Sequence, residues 1–297
     1  MTLAEPIAAS IYLAGGIFSR FNDFEGYDLA TSRSDDYNAL AGVMAATRES
    51  GDHFGRAIVG WLRGHVRFDH CVIFGYRGAM RPPMLFETFS PAESHVFVAL
   101  YQEGPYLLDP FHHAAVERKE GFWRMRELAP DRFYASEYFR SYYSQTKLAE
   151  EVGFFVPLAG NDALVLSLMR LRASGPFGTA DARLLRDMAP AVVGLCKLRW
   201  PSLLADEAPA APPGEAPSAP NELDRAHIWK SLSLTSREKQ VVDLVLQGHS
   251  TESIARALRI GPGTVKVHRR NIYRKLEIKS QAGLFARFVE IIDGRIG

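Results

Sequence analysis

The chain has 297 residues, of which 47% are hydrophobic and 23% charged, with a formal net charge of +1 at pH 7. This length allows one large or two ordinary domains, and the composition excludes a disordered or collagen-like chain. The net charge conceals an asymmetry, because residues 221–297 hold 14 Lys and Arg against 8 Asp and Glu, while residues 1–220 carry a net charge of −5. A small basic module joined to a mildly acidic one suggests that only the small module meets a polyanion.

Cysteine usage and hydropathy bear on the compartment and on metal binding. Cys71 and Cys196 each lie in an apolar run, and no Cys/His spacing resembles a zinc site. Residues 7–18 are apolar but lack the basic start of a signal peptide. No apolar run reaches the roughly 18–20 residues needed to span a bilayer. We therefore expect a soluble cytoplasmic protein that has no membrane partner, metal or other cofactor.

The N-terminal part alternates between helical and strand-like patterns. These patterns predict helices at 35–50 and 53–65, strands at 68–77 and 83–89, helices at 92–103, 110–119 and 136–143, a hairpin of 150–158 with 163–172, and a helix at 179–199. Thr179 is the expected N-cap of the last helix. This order predicts an α+β domain in which helices cover an antiparallel sheet.

A segment rich in proline and alanine, residues 201–222, separates the two modules. It holds six prolines and no aromatic residue, so it is expected to act as a semi-extended tether. The predicted organisation is one domain at 1–200, a linker at 201–222 and a second domain at 223–297.

Helix signals are regularly spaced in the C-terminal domain. Thr235 and Glu238 have the spacing of a capping box, and Gly248 fits a C-terminal cap. Ser250 can cap a second helix, Pro262 suits the first turn of a third, and Ser280 can cap a fourth. The sequence therefore predicts an all-α domain of four helices.

The third helix has two chemically different faces. At about 100° per residue, Val265, Ile272 and Leu276 form an inward stripe. The opposite side carries Val267, Arg270 and Arg274, and Lys266 lies on the flank near Arg270. The outer face is therefore basic and holds one small apolar side chain. A helix that enters the major groove needs Arg or Lys for guanine and phosphates and a methyl-bearing residue for thymine. Arg269 falls nearer the inward stripe and is expected to serve a phosphate or the packing.

Residues 233–284 resemble the LuxR-type (GerE-like) helix-turn-helix family. The matching residues are Leu234, Thr235, Arg237, Glu238, Gly248, Ile254, Ala255, Leu258, Ile260, Thr264, Val265, Lys266, His268, Asn271, Ile272, Lys275 and Leu276. The resemblance implies that Lys266, Val267 and Arg270 face bases of double-stranded DNA. It also makes Thr264, His268, Arg274 and Lys275 phosphate partners. Two positions depart from the family pattern, namely Gly261, which removes a helix cap, and Gln281, where Arg is frequent.

The fourth helix carries an apolar stripe formed by Leu284, Phe288, Ile291 and Ile292. This stripe either packs only inside its own domain or also forms a dimer seam. Because DNA half-sites favour two-fold dimers, a homodimer is predicted. RNA polymerase is a further expected partner of such a regulator.

The region 96–125 resembles the autoinducer-binding domains of quorum-sensing LuxR proteins, on Tyr101, Tyr106, Asp109-Pro110 and Trp123. The resemblance implies a small amphiphilic signal whose amide N–H meets the Asp109 carboxylate and whose carbonyls meet tyrosine hydroxyls, with aromatic walls around its tail. Phe97 stands where the family usually has a Trp that donates to a lactone carbonyl. Because Phe97 cannot donate, a ligand other than an acyl-homoserine lactone, or no ligand, remains open.

Three other interpretations remain open for the N-terminal domain. Asp109 before Pro110 also fits a helix N-cap, and the aromatic residues also fit an ordinary core. The domain could equally be a GAF- or PAS-like module for protein interaction or dimerisation that binds no ligand. A phosphorylated receiver domain is disfavoured because Asp35 and Asp36 precede a helix rather than follow a strand. An enzyme is disfavoured because no catalytic motif accompanies the histidines.

Overall fold

The computed structural model describes residues 29–203 and 233–292. In the first range, helices α1 (Leu29–Ala46) and α2 (Gly51–Arg63) precede strands β1 (His70–Arg77) and β2 (Met84–Glu87). Helix α2 begins where the Ser50 side chain accepts a hydrogen bond from the His53 N–H. The two helices and the first strand pair thus follow the sequence prediction, with shifted ends.

Short helical segments fill the middle of the domain. They are α3 (Pro91–Ser94), a π-turn (His95–Ala99), α4 (Leu100–Gln102), a 3-10 turn (Pro105–Leu108), α5 (Pro110–Val116), α6 (Met125–Leu128), a 3-10 turn (Phe133–Ala135), α7 (Glu137–Ser141) and a 3-10 turn (Tyr143–Thr146). Strand β3 (Gly121–Arg124) interrupts them and was not predicted from the sequence. Its four residues are too few for alternation to reveal a strand.

The strands form one antiparallel sheet of order β2-β1-β5-β4-β3, completed by β4 (Leu148–Pro157) and β5 (Asp162–Leu171). The predicted hairpin is therefore confirmed as the centre of the sheet. Strand β5 is buried along its first eight residues because helices cover both of its faces.

The two faces of the sheet carry different layers. One face, with Ile73, Phe154 and Leu166, packs against α1, α2 and the long helix α8 (Thr179–Arg199). The other face, with Phe74 and Val165, packs against the short helical segments. Because side chains alternate along a strand, neighbouring residues serve different cores. The long-helix face is the simple apolar core, and the short-helix face holds the polar side chains described below.

The end of the N-terminal domain differs from the prediction in two details. The N-cap of helix α8 is Gly178, whose N–H donates to Asp181 Oδ2 at 3.0 Å. Thr179 is therefore the first residue of the helix and not its cap. The predicted linker starts at residue 201, but Leu203 is buried and its N–H donates to Asp162 Oδ2 at 3.0 Å. The remaining linker residues, 204–222, lie outside the described residues.

The C-terminal part is a four-helix unit of α9 (Ser236–Gln247), α10 (Thr251–Leu258), α11 (Pro262–Lys275) and α12 (Gln281–Ile292). Thr235 and Glu238 close the predicted capping box, and Gly248 ends α9 with φ +95°. Ser250 caps α10, and Ser280 accepts a bond from the Gly283 N–H. Within the two described ranges, no helix is long and apolar enough to cross a membrane.

Candidate DNA interface and ligand cavity

Helix α11 is anchored by the three residues that the periodicity assigned to its inner side. Val265, Ile272 and Leu276 are buried against α9 and α10. Lys266 and Arg270 are exposed, and neither has a hydrogen-bond or ion-pair partner among the described residues. Exposure of two cations without internal partners leaves both available for a polyanion.

Val267 lies between them on the same outer face. Val267 is 44% exposed, so its methyl groups are accessible at the surface. Together with the two cations, it forms the outer face of α11 that was expected from the sequence. A small methyl-bearing group among cations matches what a thymine methyl requires from a groove-reading helix.

The four positions expected to contact phosphates differ in their surroundings. Thr264 is exposed and His268 is partly buried. Arg274 donates to Asn271 Oδ1 at 3.3 Å, and Lys275 Nζ lies 2.7 Å from Glu238 Oε2. The ion pair of Lys275 thus helps to position the end of α11. Thr264 is exposed, and its side chain has no hydrogen bond to a described residue.

Three further positions that the sequence singled out have different surroundings. Arg269 donates to the Tyr273 hydroxyl at 3.0 Å and lies over its ring, so it serves packing within α11. Gly261 supplies no side-chain cap at the start of α11. Gln281 donates to the Val245 carbonyl at 3.1 Å and so ties α12 to the end of α9.

The helix-turn-helix unit docks on the N-terminal domain through the turn between α9 and α10. The Arg132 N–H donates to the Gly248 carbonyl at 2.9 Å, and the Ser250 N–H donates to Asp131 Oδ1 at 2.9 Å. A Cβ at Gly248 would lie 2.9 Å from the Phe133 Cα, so only glycine allows this approach. Helix α7 also contacts α9 and α12. The two domains are therefore joined by hydrogen bonds from backbone N–H groups as well as by apolar packing.

A small, partly open cavity lies under the short-helix face of the sheet. Its volume is about 30 Å³, which corresponds to about two water molecules. Aromatic, apolar and a few polar side chains line it; they are Val72, Phe74, Tyr76, Phe97, Tyr101, Asp109, Phe111, Tyr138, Tyr142, Tyr143, Thr146, Leu148, Glu151, Ser167 and Met169. None of these lining residues is basic.

Asp109 is the anchor of a hydrogen-bond chain in this cavity. The Tyr101 hydroxyl donates to Asp109 Oδ2 at 2.7 Å and lies 2.9 Å from the Tyr76 hydroxyl. The Phe111 N–H donates to Asp109 Oδ1 at 2.9 Å, so Asp109 also caps α5. Burial raises the pKa of Asp109 to about 6, although these two hydrogen bonds favour the charged form. Asp109 is thus both a helix cap and a carboxylate that lines the cavity.

The sequence reasoning missed a second carboxylate in the cavity, Glu151 on β4. The Tyr143 hydroxyl donates to its Oε2 at 3.2 Å, and the Ser167 hydroxyl is a second partner. Burial, reinforced by the nearby Asp109, raises the pKa of Glu151 to about 8. A charged residue within the apolar run of a strand was the available signal, since its alternation places Glu151 on the same face as Phe155.

The structure brings together some of the predicted ligand residues and separates others. Tyr101, Asp109 and Phe97 line the cavity. Tyr106 is buried beside them, but its hydroxyl donates to the Ala79 carbonyl at 2.8 Å. Trp123 lies on β3 outside the cavity, where its indole donates to the Glu120 carbonyl at 3.0 Å and Lys119 lies over its ring. Among the residues of both described ranges, no His, Cys, Asp and Glu cluster could hold a metal ion.

A four-helix unit with an exposed basic face on its third helix, docked on an α+β domain, defines the class of helix-turn-helix regulators. Residues 232–287 match the family described as bacterial regulatory proteins, luxR family. The chain is 36% identical over 194 residues to an HTH-type transcriptional regulator in the exeN 3′ region of Aeromonas salmonicida, covering 64% of this chain and 97% of that protein. The chain therefore belongs to the LuxR family of transcriptional regulators, which are DNA-binding proteins and not enzymes.

Further relatives share smaller or more distant parts. HTH-type transcriptional regulator YhjB of Escherichia coli (strain K12) is 41% identical over 49 residues, covering 16% of this chain and 24% of that protein. The ligand-binding domain of VqsR from Pseudomonas aeruginosa is 25% identical, with a TM-score of 0.47 and coverage of 55% of this chain and 94% of that one. Escherichia coli SdiA is 16% identical, with a TM-score of 0.39 and coverage of 87% and 98%.

Proposed function

We propose that this regulator binds duplex DNA as a homodimer through Lys266, Val267 and Arg270, and that a small molecule in the cavity controls this binding. Thr264, His268, Arg274 and Lys275 are the proposed phosphate contacts. The outer face of α11 supports the first part, because two unpaired cations flank an exposed valine. DNA as the target implies action in the cytoplasm and contact with RNA polymerase.

One observation supports ligand control in particular. Residues 133–146 form a wall of the cavity through Tyr138, Tyr142, Tyr143 and Thr146. The same segment docks the helix-turn-helix unit, since α7 contacts α9 and α12. A ligand that displaces this wall changes the docking surface, and such a differential contact is what allows a ligand to shift an equilibrium between two states.

The dimer is proposed from the exposed part of α12. Leu284 and Phe288 are buried inside the domain, whereas Val289 is 38% exposed and Phe285 and Ile291 are only partly buried. Leu284 and Phe288 of the apolar stripe thus pack inside the domain, whereas Ile291, with Phe285 and Val289 beside it, reaches the surface. The surface half is the proposed seam between two copies.

A second function is favoured by the size of the cavity. Its volume of about 30 Å³ is far below the roughly 300 Å³ at which ligand pockets begin. This observation supports an N-terminal domain that serves dimerisation or protein interaction without a ligand. Ligand control requires the wall of short helical turns to move outward.

The DNA-binding part is tested by fluorescence anisotropy of the full chain on a duplex selected from random sequence. Binding should weaken steeply with salt, because Lys and Arg displace condensed counterions. Arg270→Ala should cost roughly 1–3 kcal/mol and relax discrimination at one base pair. Arg183→Ala, an exposed arginine on α8, is the matched control. Equal affinities for the two variants would remove Arg270 from the base-reading set.

Ligand control is tested by melting the full chain in the presence of fractionated bacterial extracts. A molecule that binds only the folded state raises the melting temperature by mass action. The stabilising fraction should also change the affinity for the selected duplex. If no fraction raises the melting temperature, the ligand-free module is supported instead.

A further inference from the structure

The charge balance of the cavity is unusual for a site that would accept a neutral ligand. Asp109 and Glu151 are both buried in it, and none of its lining residues is Lys, Arg or His. A buried carboxylate without a cation is costly and tends to stay protonated. The cavity therefore has room for a positive charge that the described part of the chain does not itself supply.

The tyrosines around the two acids form the rest of the site. Tyr138 and Tyr142 stack at 5.7 Å between ring centroids, and Tyr101 lies 6.2 Å from Tyr142. The faces of such rings are electronegative and attract cations. The Tyr101 and Tyr143 hydroxyls already donate to Asp109 and Glu151, so both hydroxyls retain only their acceptor capacity. Tyr138 also lines the cavity and is 2% exposed.

We propose that the ligand of this cavity is an amphiphilic amine, whose ammonium group lies between Asp109 and Glu151 and whose apolar body displaces the Tyr138–Thr146 wall. This inference rests on the proposed ligand control and names the class of ligand. The ammonium donates to the two carboxylates, and the tyrosine rings enclose it. Tyrosine-lined walls accommodate an aryl or alkyl body without further charge.

Proton release should accompany binding. Burial keeps Glu151, and in part Asp109, protonated in the empty cavity at neutral pH. The groups that face Glu151 from the packed elements are Asp109, Tyr76 on β1, Tyr101 on α4, Tyr138 and Tyr142 from the α7 segment, Tyr143, and Ser167 on β5. Burial raises the pKa of these tyrosines well above the usual value, so only the two acids release protons below pH 9. An ammonium ligand should therefore bind more tightly as the pH rises from 6 to 8.

The test uses the full chain and pairs of probes that differ only in charge. Phenethylamine, tryptamine, hexylamine and octylamine are each compared with the corresponding alcohol by thermal shift and by calorimetry in two buffers of different ionisation enthalpy. At least one amine should bind ten times more tightly than its alcohol and release a proton. Glu151→Gln should remove this preference, and Glu103→Gln, an exposed carboxylate next to α4, should retain it.

The outcomes separate this inference from the function on which it rests. If the alcohols bind as well as or better than the amines, or if no amine binding releases protons, the amine assignment is overturned while ligand control stands. If neither series changes the melting temperature and no extract fraction alters DNA affinity, ligand control fails as well. The proton count is measured on the wild-type chain, so it does not depend on whether Glu151→Gln folds normally.

Discussion

At the scale of single residues, the two buried acids differ in how much they contribute to the stability of the fold. Asp109 is held by two donors and also caps α5, so it contributes to the fold whether or not a ligand is present. Glu151 has weaker support, with one hydroxyl at 3.2 Å and Ser167 beside it. A residue that is costly to bury and contributes little to the fold is better explained by recognition than by stability.

This cost predicts a pH dependence of the free energy of unfolding. The pKa of Glu151 is raised to about 8 in the folded chain, so the folded state binds a proton that the unfolded state loses near the ordinary value of 4.5. Stability should therefore be greatest below about pH 4.5 for this group and should decline as the pH rises to about 8. Glu151→Gln should flatten the decline between pH 6 and 9, as measured by urea unfolding. Glu103→Gln, the exposed control, should follow the wild type.

At the scale of elements, one carboxylate connects the start of α9 with the end of α11. Glu238 Oε2 accepts the Thr235 N–H at 2.8 Å and pairs with Lys275 Nζ at 2.7 Å. Although burial acts to raise it, the Lys275 and Thr235 bonds hold the pKa of Glu238 below its usual range. The capping box therefore does more than begin a helix, since it also fixes the helix that presents the basic face.

Two variants separate these contributions. Glu238→Ala removes both the cap and the pair and should lower the free energy of unfolding by about 1–3 kcal/mol. Glu238→Gln can still close a capping box but loses the ion pair, so its effect should be smaller. Glu252→Gln, on the exposed first turn of α10, is the control. Equal losses in the Ala and Gln variants, measured by chemical unfolding, would mean that the cap itself contributes nothing.

At the scale of the whole molecule, the segment Asp131–Thr146 connects the cavity with the helix-turn-helix unit. Its first residues bond the turn between α9 and α10, and its later residues line the cavity. The apolar cluster on this face continues from Phe74 and Val165 through Phe133 to Val241 and Phe288. A change at the cavity therefore has a contiguous physical route to the domain that binds DNA.

Loosening this docking should be measurable by amide hydrogen exchange. Asp131→Ala removes the acceptor of the Ser250 N–H, so that amide should exchange faster while the amides within β4 and β5 remain protected. Asp131→Asn keeps an acceptor oxygen and should leave the exchange near the wild-type rate. Unchanged exchange in the Ala variant would show that the 2.9 Å bond does not hold the domains together in solution.

Local signals in the sequence determined the C-terminal domain almost completely. Thr235, Gly248, Ser250 and Pro262 mark helix ends through bonds with residues only a few positions away, and periodicity placed Val265 inside α11. The hairpin of β4 and β5 was predictable for the same reason, because alternation and one turn define it. In these places the interacting residues that form the structure lie close together in the sequence.

Only the tertiary structure decided which distant groups share the cavity. Trp123 fits a ligand motif by spacing, but the pairing of β3 with β4 places it outside, while Glu151 on β4 enters from a segment that no motif marked. The close approach of Gly248 to Phe133 likewise depends on how the domains dock, although the αL cap was readable from the sequence. Helix and turn formation depend on near neighbours, whereas a cavity is defined by strand register and domain packing, which bring together residues far apart in the chain.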